Sequence, residues 1–221
     1  MPRTPDHATM RPFYGFFHYL AGLIHAMWFR GEVVGTDNFP TEGPFLIASN
    51  HASHLDPPFV GSQIAKQMRF FARKSLWNNR VLAWWLNQVE TIPVERDSGD
   101  IGAIKKVLQA LKDDRAVVLF PEGTRSPDGR SLHRLHRRIL VPVLQANPGI
   151  PVHAMTVAYP GTRRGRRTVD VRFSAPLGID VTAMSANAIT DAVRDALLDL
   201  GGMPYTHAFG RELKSAGPPT Q

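Results

Sequence analysis

The length, composition and charge of the chain limit what it can be. Its 221 residues suffice for one domain with a hydrophobic core, and a hydrophobic content of 43% is ordinary for a globular protein. Because the chain has no cysteine, disulfides, thiol nucleophiles and zinc sites with sulfur ligands are excluded. A formal net charge of +7 indicates an anionic partner, such as a nucleic acid, a phosphorylated substrate or an acidic membrane surface. The N-terminus lacks the pattern of a secretory signal, so we expect the chain to stay inside the cell.

The first candidate element is an apolar and aromatic segment, residues 13–29, between Arg11 and Arg30. It contains His18 and His25 and is shorter than the about 20 residues that a membrane-spanning helix needs. Its tyrosine, histidine and tryptophan side chains are amphipathic, as is typical of helices that lie at a headgroup boundary. We therefore predict an interfacial helical segment at residues 1–30. A helix packed on the core and a true membrane span are the alternatives.

Short apolar runs alternate with helical patterns along the rest of the chain. The runs predict strands at residues 45–48, 68–72, 91–94, 116–120, 152–159 and 169–173. Apolar residues at helical spacing predict one helix through Ile101, Ile104, Leu108 and Leu111, and another through Ile189, Val193, Leu197 and Leu200. This alternation predicts an α/β fold: a single domain, residues 31–200, with a central mixed, largely parallel sheet flanked by helices. We expect residues 201–221 to form a frayed C-terminal tail.

The first motif is SNHASHLDPP, residues 49–58, at the end of the first of these predicted strands. In open α/β sheets, residues just past the carboxyl end of a strand line the ligand crevice. His51 can take a proton at neutral pH, and Asp56 can bind its other ring nitrogen and fix the tautomer. The pair provides a base without a protein nucleophile, so we expect the attacking group to be a hydroxyl of the substrate.

Two other interpretations of these residues stay open. A histidine and an aspartate this close in sequence often serve only to cap a helix. A metal site would use His51, His54 and Asp56, but their spacing does not place all three on one helical face. We therefore predict no metal at this position.

The second motif is FPEGTRS, residues 120–126, which follows the apolar run that begins at residue 116. Gly123 permits a close approach of the backbone, Thr124 and the loop amides can donate hydrogen bonds, and Arg125 offers a planar fork that matches phosphate. Arg96 follows another predicted strand and could join this anion site. The alternatives are an ordinary turn for the motif and a surface charge for Arg96. Together the two motifs suggest acyl or phosphoryl transfer to a phosphorylated alcohol.

The segments Asn50-His51-Ala-Ser-His-Leu-Asp56 and FPEGTRS resemble the paired NHxxxxD and FPEGTRS motifs of the glycerolipid acyltransferases, the 1-acylglycerol-3-phosphate acyltransferase family. The resemblance extends from about Gly31 to Phe173 and implies the α/β fold of that family, with residues 31–200 as the acyltransferase domain. It implies that His51 deprotonates the acceptor hydroxyl and that Asp56 orients His51. The residues that it assigns to the glycerol phosphate are Glu122, Gly123, Thr124, Arg125 and, as a helper, Arg96.

The resemblance also implies the reaction and its partners. An acyl group would move from an acyl-CoA or acyl carrier protein thioester to the hydroxyl of a lysophospholipid, here 1-acylglycerol-3-phosphate, and give phosphatidic acid for phospholipid biosynthesis. No metal or redox cofactor is needed, because the thioester supplies the driving force. Since the acceptor lies in a bilayer, we expect the protein to bind anionic lipids peripherally at the cytoplasmic face of the membrane, through residues 1–30 and its arginine clusters.

Three rival functions have a basis in the sequence. The segment Leu135-His136-Arg137-Arg138 stands where the family commonly has Phe-Lys-x-Gly, which favours another acceptor, a different lipid or a glycolipid alcohol. The charge alone would fit a basic nucleic-acid-binding module. However, the arginine clusters at 133–138 and 162–167 contain no stacking aromatic, so we expect no nucleic acid partner. A non-catalytic lipid-binding protein of this fold is disfavoured because His51 and Asp56 are both present.

Overall fold

The computed structural model describes residues 12–40, 42–64, 66–94, 101–163 and 165–215. The helices, in chain order, are α1 (Pro12–Trp28), α2 (Asp56–Gln63), α3 (Arg80–Gln88), α4 (Ile101–Lys112), α5 (Arg137–Gln145), α6 (Ala186–Gly201) and α7 (Gly210–Ser215). The strands are β1 (Phe29–Arg30), β2 (Val33–Val34), β3 (Leu46–Ser49), β4 (Met68–Arg69), β5 (Phe71–Arg73), β6 (Ile92–Val94), β7 (Ala116–Leu119), β8 (Leu132–His133), β9 (Val152–Arg163), β10 (Arg166–Pro176) and β11 (Tyr205–Thr206).

One central sheet organises the chain. Its strand order is β1-β10-β9-β3-β7-β4, and β2 also pairs with β10. The pairs β3–β7, β3–β9 and β4–β7 are parallel, and so are the pairs that β1 and β2 form with β10. The β9–β10 hairpin is antiparallel. This mixed, largely parallel sheet confirms the predicted α/β class.

The central strand β3 is buried along its length because both faces of the sheet are covered. Leu46 and Ala48 lie in one buried cluster, which includes residues of α4, α5 and α6. Phe45 and Ile47 lie in a second cluster on the opposite face. Successive side chains of a strand point to opposite faces, so this alternation is expected. With both faces covered, a substrate reaches the sheet at the carboxyl ends of its strands.

Helix α1 forms residues 12–28 of the predicted N-terminal segment 1–30 and packs against the domain along one side; residues 1–11 of that segment lie outside the described residues. Tyr14 is buried, and its hydroxyl accepts a hydrogen bond from the Met68 N–H at 3.1 Å. Nδ1 of His18 donates to the carbonyl oxygen of Gly61 in α2 at 2.7 Å. The exposed side carries the large side chains Phe16, Tyr19, Leu23, Ile24, Met27 and Trp28. In the part of the chain that the structure describes, no helix is both long and apolar enough to cross a membrane.

The structure divides one predicted strand and adds helices that the sequence did not predict. The run 68–72 forms β4 in the central sheet and then β5, which pairs with β6 in a separate two-stranded sheet. Helix α3 starts after Asn79, whose side chain accepts hydrogen bonds from the first turn. Helix α5 contains Pro142. Because a proline removes a backbone N–H and usually interrupts a helix, the pattern around it did not indicate one.

The C-terminal segment differs from the predicted frayed tail. Helix α6 ends at Gly201, and Gly202 caps it in the left-handed conformation, with φ 58°. Beyond this cap, β11 pairs in parallel with β8, and α7 follows. Strand pairing satisfies backbone groups that a frayed tail leaves to water, so residues 205–215 belong to the folded domain. Residues 216–221 lie outside the described residues.

The hydrogen bond to the Tyr14 hydroxyl allows a test of how α1 packs against the domain. Tyr14→Phe leaves the buried Met68 N–H without its acceptor, so we expect urea unfolding to show a loss of about 1–3 kcal/mol. The matched control Tyr19→Phe removes an exposed hydroxyl from the same helix and should change the unfolding free energy by less than about 0.5 kcal/mol. Equal stability of the two variants would contradict this packing of α1.

Candidate active site

Three neighbouring parallel strands of the central sheet place both motifs at the same edge. Strand β3 lies between β7 and β9, with Ala48 opposite Leu119 and Ser49 opposite Met155. Residues 49–58 leave this edge from the end of β3, and residues 120–126 leave it from the end of β7. Because the carboxyl ends of parallel strands lie side by side, motifs far apart in sequence become neighbours here.

His51 and Asp56 form the predicted pair. Nδ1 of His51 lies 2.7 Å from Oδ2 of Asp56. A carboxylate only accepts hydrogen bonds, so this contact places the imidazole proton on Nδ1 and leaves Nε2 as an acceptor. The His51 side chain is 19% exposed, whereas the Asp56 side chain is fully buried. The His51 ring also stacks on Phe120, with 4.2 Å between the ring centroids. The imidazole can therefore meet a substrate while its partner is shielded from water.

The Asp56 carboxylate is held by further donors. Its Oδ2 accepts the backbone N–H groups of Ala52 and Ser53, each at 2.8 Å. Its Oδ1 accepts the hydroxyl of Tyr159 at 2.7 Å. Burial, and then the Asp56 charge, raises the pKa of Tyr159 well above its usual range, so this hydroxyl keeps its proton and remains a donor. A buried charge is costly unless donors replace the lost water, and these contacts fix Asp56 in one orientation.

Asn50 ties the His51 loop to strand β9. Its Nδ2 donates to the Val157 carbonyl at 2.9 Å, and its Oδ1 accepts the Val157 N–H at 2.8 Å. Because Asn50 is buried, both bonds form away from water. Sequence reasoning gave neither Asn50 nor Tyr159 a role. The available signal was the position of Tyr159 at the end of the predicted strand 152–159, which proves to run beside β3.

Glu122 joins the two motifs. Its Oε1 accepts the His51 N–H at 2.8 Å, and its Oε2 accepts the His133 N–H at 3.0 Å. The Ser126 N–H donates in turn to the His51 carbonyl at 2.7 Å. The second motif therefore holds the His51 backbone through both its N–H and its carbonyl. Burial raises the pKa of Glu122 to about 7, and the two N–H donors oppose this shift only in part. Its predicted part in acceptor binding stays a prediction.

Gly123, Thr124 and Arg125 continue the loop. Gly123 has φ 66°, and a Cβ at this position would lie 2.9 Å from Cδ2 of His136, so both conformation and space require glycine. Thr124 is buried, and Arg125 is partly exposed. Within the described residues, the Arg125 guanidinium forms no hydrogen bond or ion pair. Its N–H donors remain available to an anion.

The sequence also singled out Arg96 and Arg138. Arg96 lies outside the described residues, so its predicted place beside the loop is not part of this geometry. Arg138 is the second residue of α5. A helical backbone does not require glycine, so this departure from the family pattern introduces no strain. Among the residues that the structure describes, no group of three or more histidine, aspartate or glutamate side chains is placed to hold a metal ion.

The pKa of Glu122 predicts a specific pH dependence of stability. Burial raises this pKa from 4.5 to about 7 in the folded protein. Between these values the folded state binds the proton more tightly than the unfolded state, so the unfolding free energy falls as the pH rises. Glu122→Gln cannot ionise. From about pH 4 to about pH 8, we expect the wild type to lose about 3 kcal/mol relative to Glu122→Gln in urea unfolding. Parallel pH profiles of the two proteins would contradict the assignment.

Known proteins are similar to this chain in sequence and in fold. A 1-acyl-sn-glycerol-3-phosphate acyltransferase of Streptococcus pneumoniae is 28% identical over 79% of this chain and 67% of its own length. A protein of the same name from Bacillus subtilis is 30% identical over 47% of this chain and 52% of its own length. The crystal structure of the 1-acyl-sn-glycerophosphate (LPA) acyltransferase PlsC from Thermotoga maritima has a TM-score of 0.67 at 20% identity, and it covers 93% of this chain and 81% of that chain. This structural similarity confirms the fold.

A match to a family model shows which family the chain belongs to. The Acyltransferase model matches residues 30–158, more than half of the chain. The matched range includes both motifs and the strands β3, β7 and most of β9 that position them. The chain therefore belongs to the Acyltransferase family.

Proposed function

We propose that this protein moves an acyl group from acyl-CoA or acyl carrier protein to the free hydroxyl of 1-acylglycerol-3-phosphate and releases phosphatidic acid and a thiol. The observation that carries the proposal is the His51–Asp56 hydrogen bond, with a partly exposed imidazole and a buried carboxylate. Family membership supports acyl transfer, and the names of the relatives support this acceptor.

In the proposed reaction His51 acts as the base. Its Nε2 takes the proton of the acceptor hydroxyl as the hydroxyl oxygen attacks the thioester carbonyl carbon. A C–O bond forms, the C–S bond breaks, and the imidazolium returns the proton to the leaving thiolate. Asp56 keeps the imidazole in the correct tautomer and stabilises the imidazolium between these steps. The thioester supplies the driving force, so we propose no metal or redox cofactor.

Arg125 is proposed to bind the acceptor phosphate beside Gly123 and Thr124. The Gly123 N–H already donates to the Phe120 carbonyl at 3.0 Å, so the guanidinium is the proposed donor. A guanidinium group can donate to two phosphate oxygens at once, and the Arg125 guanidinium forms no hydrogen bond or ion pair within the described residues. Glu122 bonds the loop to the His51 backbone. A phosphate bound by the loop is therefore held at a set distance from Nε2 of His51. Arg96 is proposed as a helper in this contact.

A second acceptor class has one observation in its favour. Arg137 and Arg138 are exposed in the first turn of α5, and the preceding residue donates its N–H to the Pro121 carbonyl of the phosphate loop at 2.7 Å. This added charge next to the loop fits a larger anionic headgroup on another lipid or glycolipid alcohol. Transfer to such an alcohol, with none to lysophosphatidate, would select this second candidate.

The exposed side of α1 is proposed to dock on an anionic membrane at its cytoplasmic face. Its large apolar side chains are between 44% and 72% exposed. Phe13 meets Trp84 of α3 edge to face at 5.3 Å, and α3 exposes Trp84 and Val81 beside it. Exposed basic residues adjoin this surface: Arg30 lies two residues after α1, Arg80 begins α3, Arg166 donates to the Ala26 carbonyl at 3.3 Å, and Arg167 lies opposite Phe29. An apolar patch with a basic surround fits anionic lipids.

The His51 assignment is tested by thiol release. With a long-chain acyl-CoA and lysophosphatidate, we expect His51→Ala to lower turnover about 10²–10⁴-fold, because general-base catalysis contributes that much. The exposed His54 three residues on is the matched control, and His54→Ala should keep wild-type turnover. Equal losses in both variants would favour a shared metal site over a single base. Release that needs neither acceptor nor His51 would contradict acyl transfer by this pair.

Membrane docking is tested by flotation with phosphatidylglycerol vesicles. Phe16→Ser with Trp28→Ser removes two exposed rings, each worth about 1.5–3 kcal/mol when buried, so we expect the partition coefficient to fall more than about tenfold. Ile101→Ser is the control, because Ile101 is equally exposed but lies on α4, at the other face of the sheet. Unchanged flotation of the double variant would overturn the α1 assignment.

A further inference from the structure

Residues 203–213, called the C-terminal strap below, lie against the chain that follows the second motif. The Leu132 N–H donates to the Pro204 carbonyl at 2.8 Å, and the Arg134 N–H donates to the Ala208 carbonyl at 3.2 Å. Between these two bonds, β11 pairs with β8. The strap is thus attached at several points to the segment that connects the phosphate loop to α5.

Phe209 of the strap stacks on His136. The two ring centroids lie 4.3 Å apart and the ring planes differ by 8°. The Arg134 guanidinium lies over the Phe209 ring, 4.8 Å from its centroid. The next residue, Gly210, is buried, and a Cβ there would lie 3.0 Å from Cγ2 of Thr124. The strap therefore touches both a phosphate-loop residue and the side chain of His136.

One edge of the His136 ring faces the phosphate loop. A Cβ at Gly123 would lie 2.9 Å from Cδ2 and 3.4 Å from Nε2 of His136. Gly123 is exposed and His136 is partly exposed, so solvent reaches this edge. The His136 N–H donates to the Pro121 carbonyl at 2.7 Å, which fixes the residue to the loop. A ligand oxygen held at Gly123 can therefore reach Nε2.

We propose that His136, held in place by Phe209, is a further binding residue of the acceptor site, and that its Nε2 donates to an oxygen of a phosphate monoester beside Gly123. The inference rests on the proposed function for the identity of the acceptor. In this proposal the strap holds the edge of the His136 imidazole next to the phosphate loop.

The charges around His136 fit this role. Arg134 and Arg138 act on it as cations and Glu212 as an anion. Burial and then these two arginines lower the pKa of His136, and Glu212 opposes them. A phosphate dianion bound beside the ring favours the protonated form and so counters the effect of the arginines. Site and ligand are thus complementary in charge.

Two variants separate hydrogen bonding from packing. His136→Phe keeps an aromatic ring for the stack on Phe209 and removes Nε2, whereas His136→Gln keeps an N–H donor and removes the ring. We expect His136→Phe to raise the KM for lysophosphatidate by about tenfold or more at unchanged donor KM, as loss of a hydrogen bond to a charged group does. His136→Gln should recover most of this loss. An acceptor KM for His136→Phe within about twofold of the wild type would overturn the proposal.

The strap is tested in the same assay. Phe209→Ala removes the stack and should raise the acceptor KM in the same direction as His136→Phe, with the thermal midpoint measured alongside. His207→Ala is the matched control, because His207 is an exposed ring of the strap that contacts Tyr205. If Phe209→Ala lowered stability but left the acceptor KM unchanged, the strap would have no part in the site.

Binding of glycerol 3-phosphate distinguishes failure of this inference from failure of the proposed function. If the wild type does not acylate lysophosphatidate, the proposed acceptor is wrong, and ³¹P NMR line broadening of glycerol 3-phosphate then reports on the site itself. Broadening by the wild type and its loss in His136→Phe would support the phosphate contact. Equal broadening by the two proteins, or none by the wild type, would overturn it.

Discussion

The buried carboxylate of Asp56 is the interaction on which the geometry of the site depends. A charge without water is tolerated only when donors replace the solvent, and here they come from the His51 ring, the Ala52 and Ser53 amides and the Tyr159 hydroxyl. These donors lie on the loop after β3 and on β9. All of these hydrogen bonds to the carboxylate can form only if β3 and β9 are paired. The pairing of the sheet therefore determines the orientation of His51.

The second motif completes this arrangement from the other side of β3. Glu122 and Ser126 hold the His51 backbone, and Phe120 stacks on its ring. The loop that presents Gly123 and Arg125 is thereby coupled to the imidazole through short bonds. On the opposite side, α1 packs on α2, the helix that begins with Asp56. A candidate base, a candidate phosphate site and a candidate membrane surface are thus connected through one edge of one sheet.

The sequence predicts those features whose cause is local. His51 and Asp56 lie within one loop after an apolar strand, so residue type and spacing were enough to find them. The bonds of Tyr159 to Asp56 and of Asn50 to Val157 join positions more than 100 residues apart and depend on the β3–β9 pairing, which the pattern of apolar residues does not specify. The glycine and prolines at 217–219 suggested a frayed tail, whereas residues 205–209 pair with β8 and stack on the His136 ring. The role of Glu122 could not be predicted either. Its motif was recognisable in the sequence, but the sequence did not indicate that its carboxylate accepts two backbone N–H groups.

The most direct test of the central claim is the tautomer of His51, read from ¹⁵N NMR of histidine-labelled protein and assigned with His51→Ala. The Asp56 contact requires a proton on Nδ1, so in the neutral ring Nε2 carries none and can accept the proton of a hydroxyl. We expect the Nδ1–H form in the wild type and its loss in Asp56→Asn. A wild-type His51 in the Nε2–H form, or a tautomer unaffected by Asp56→Asn, would contradict the role of the buried carboxylate and with it the proposed base.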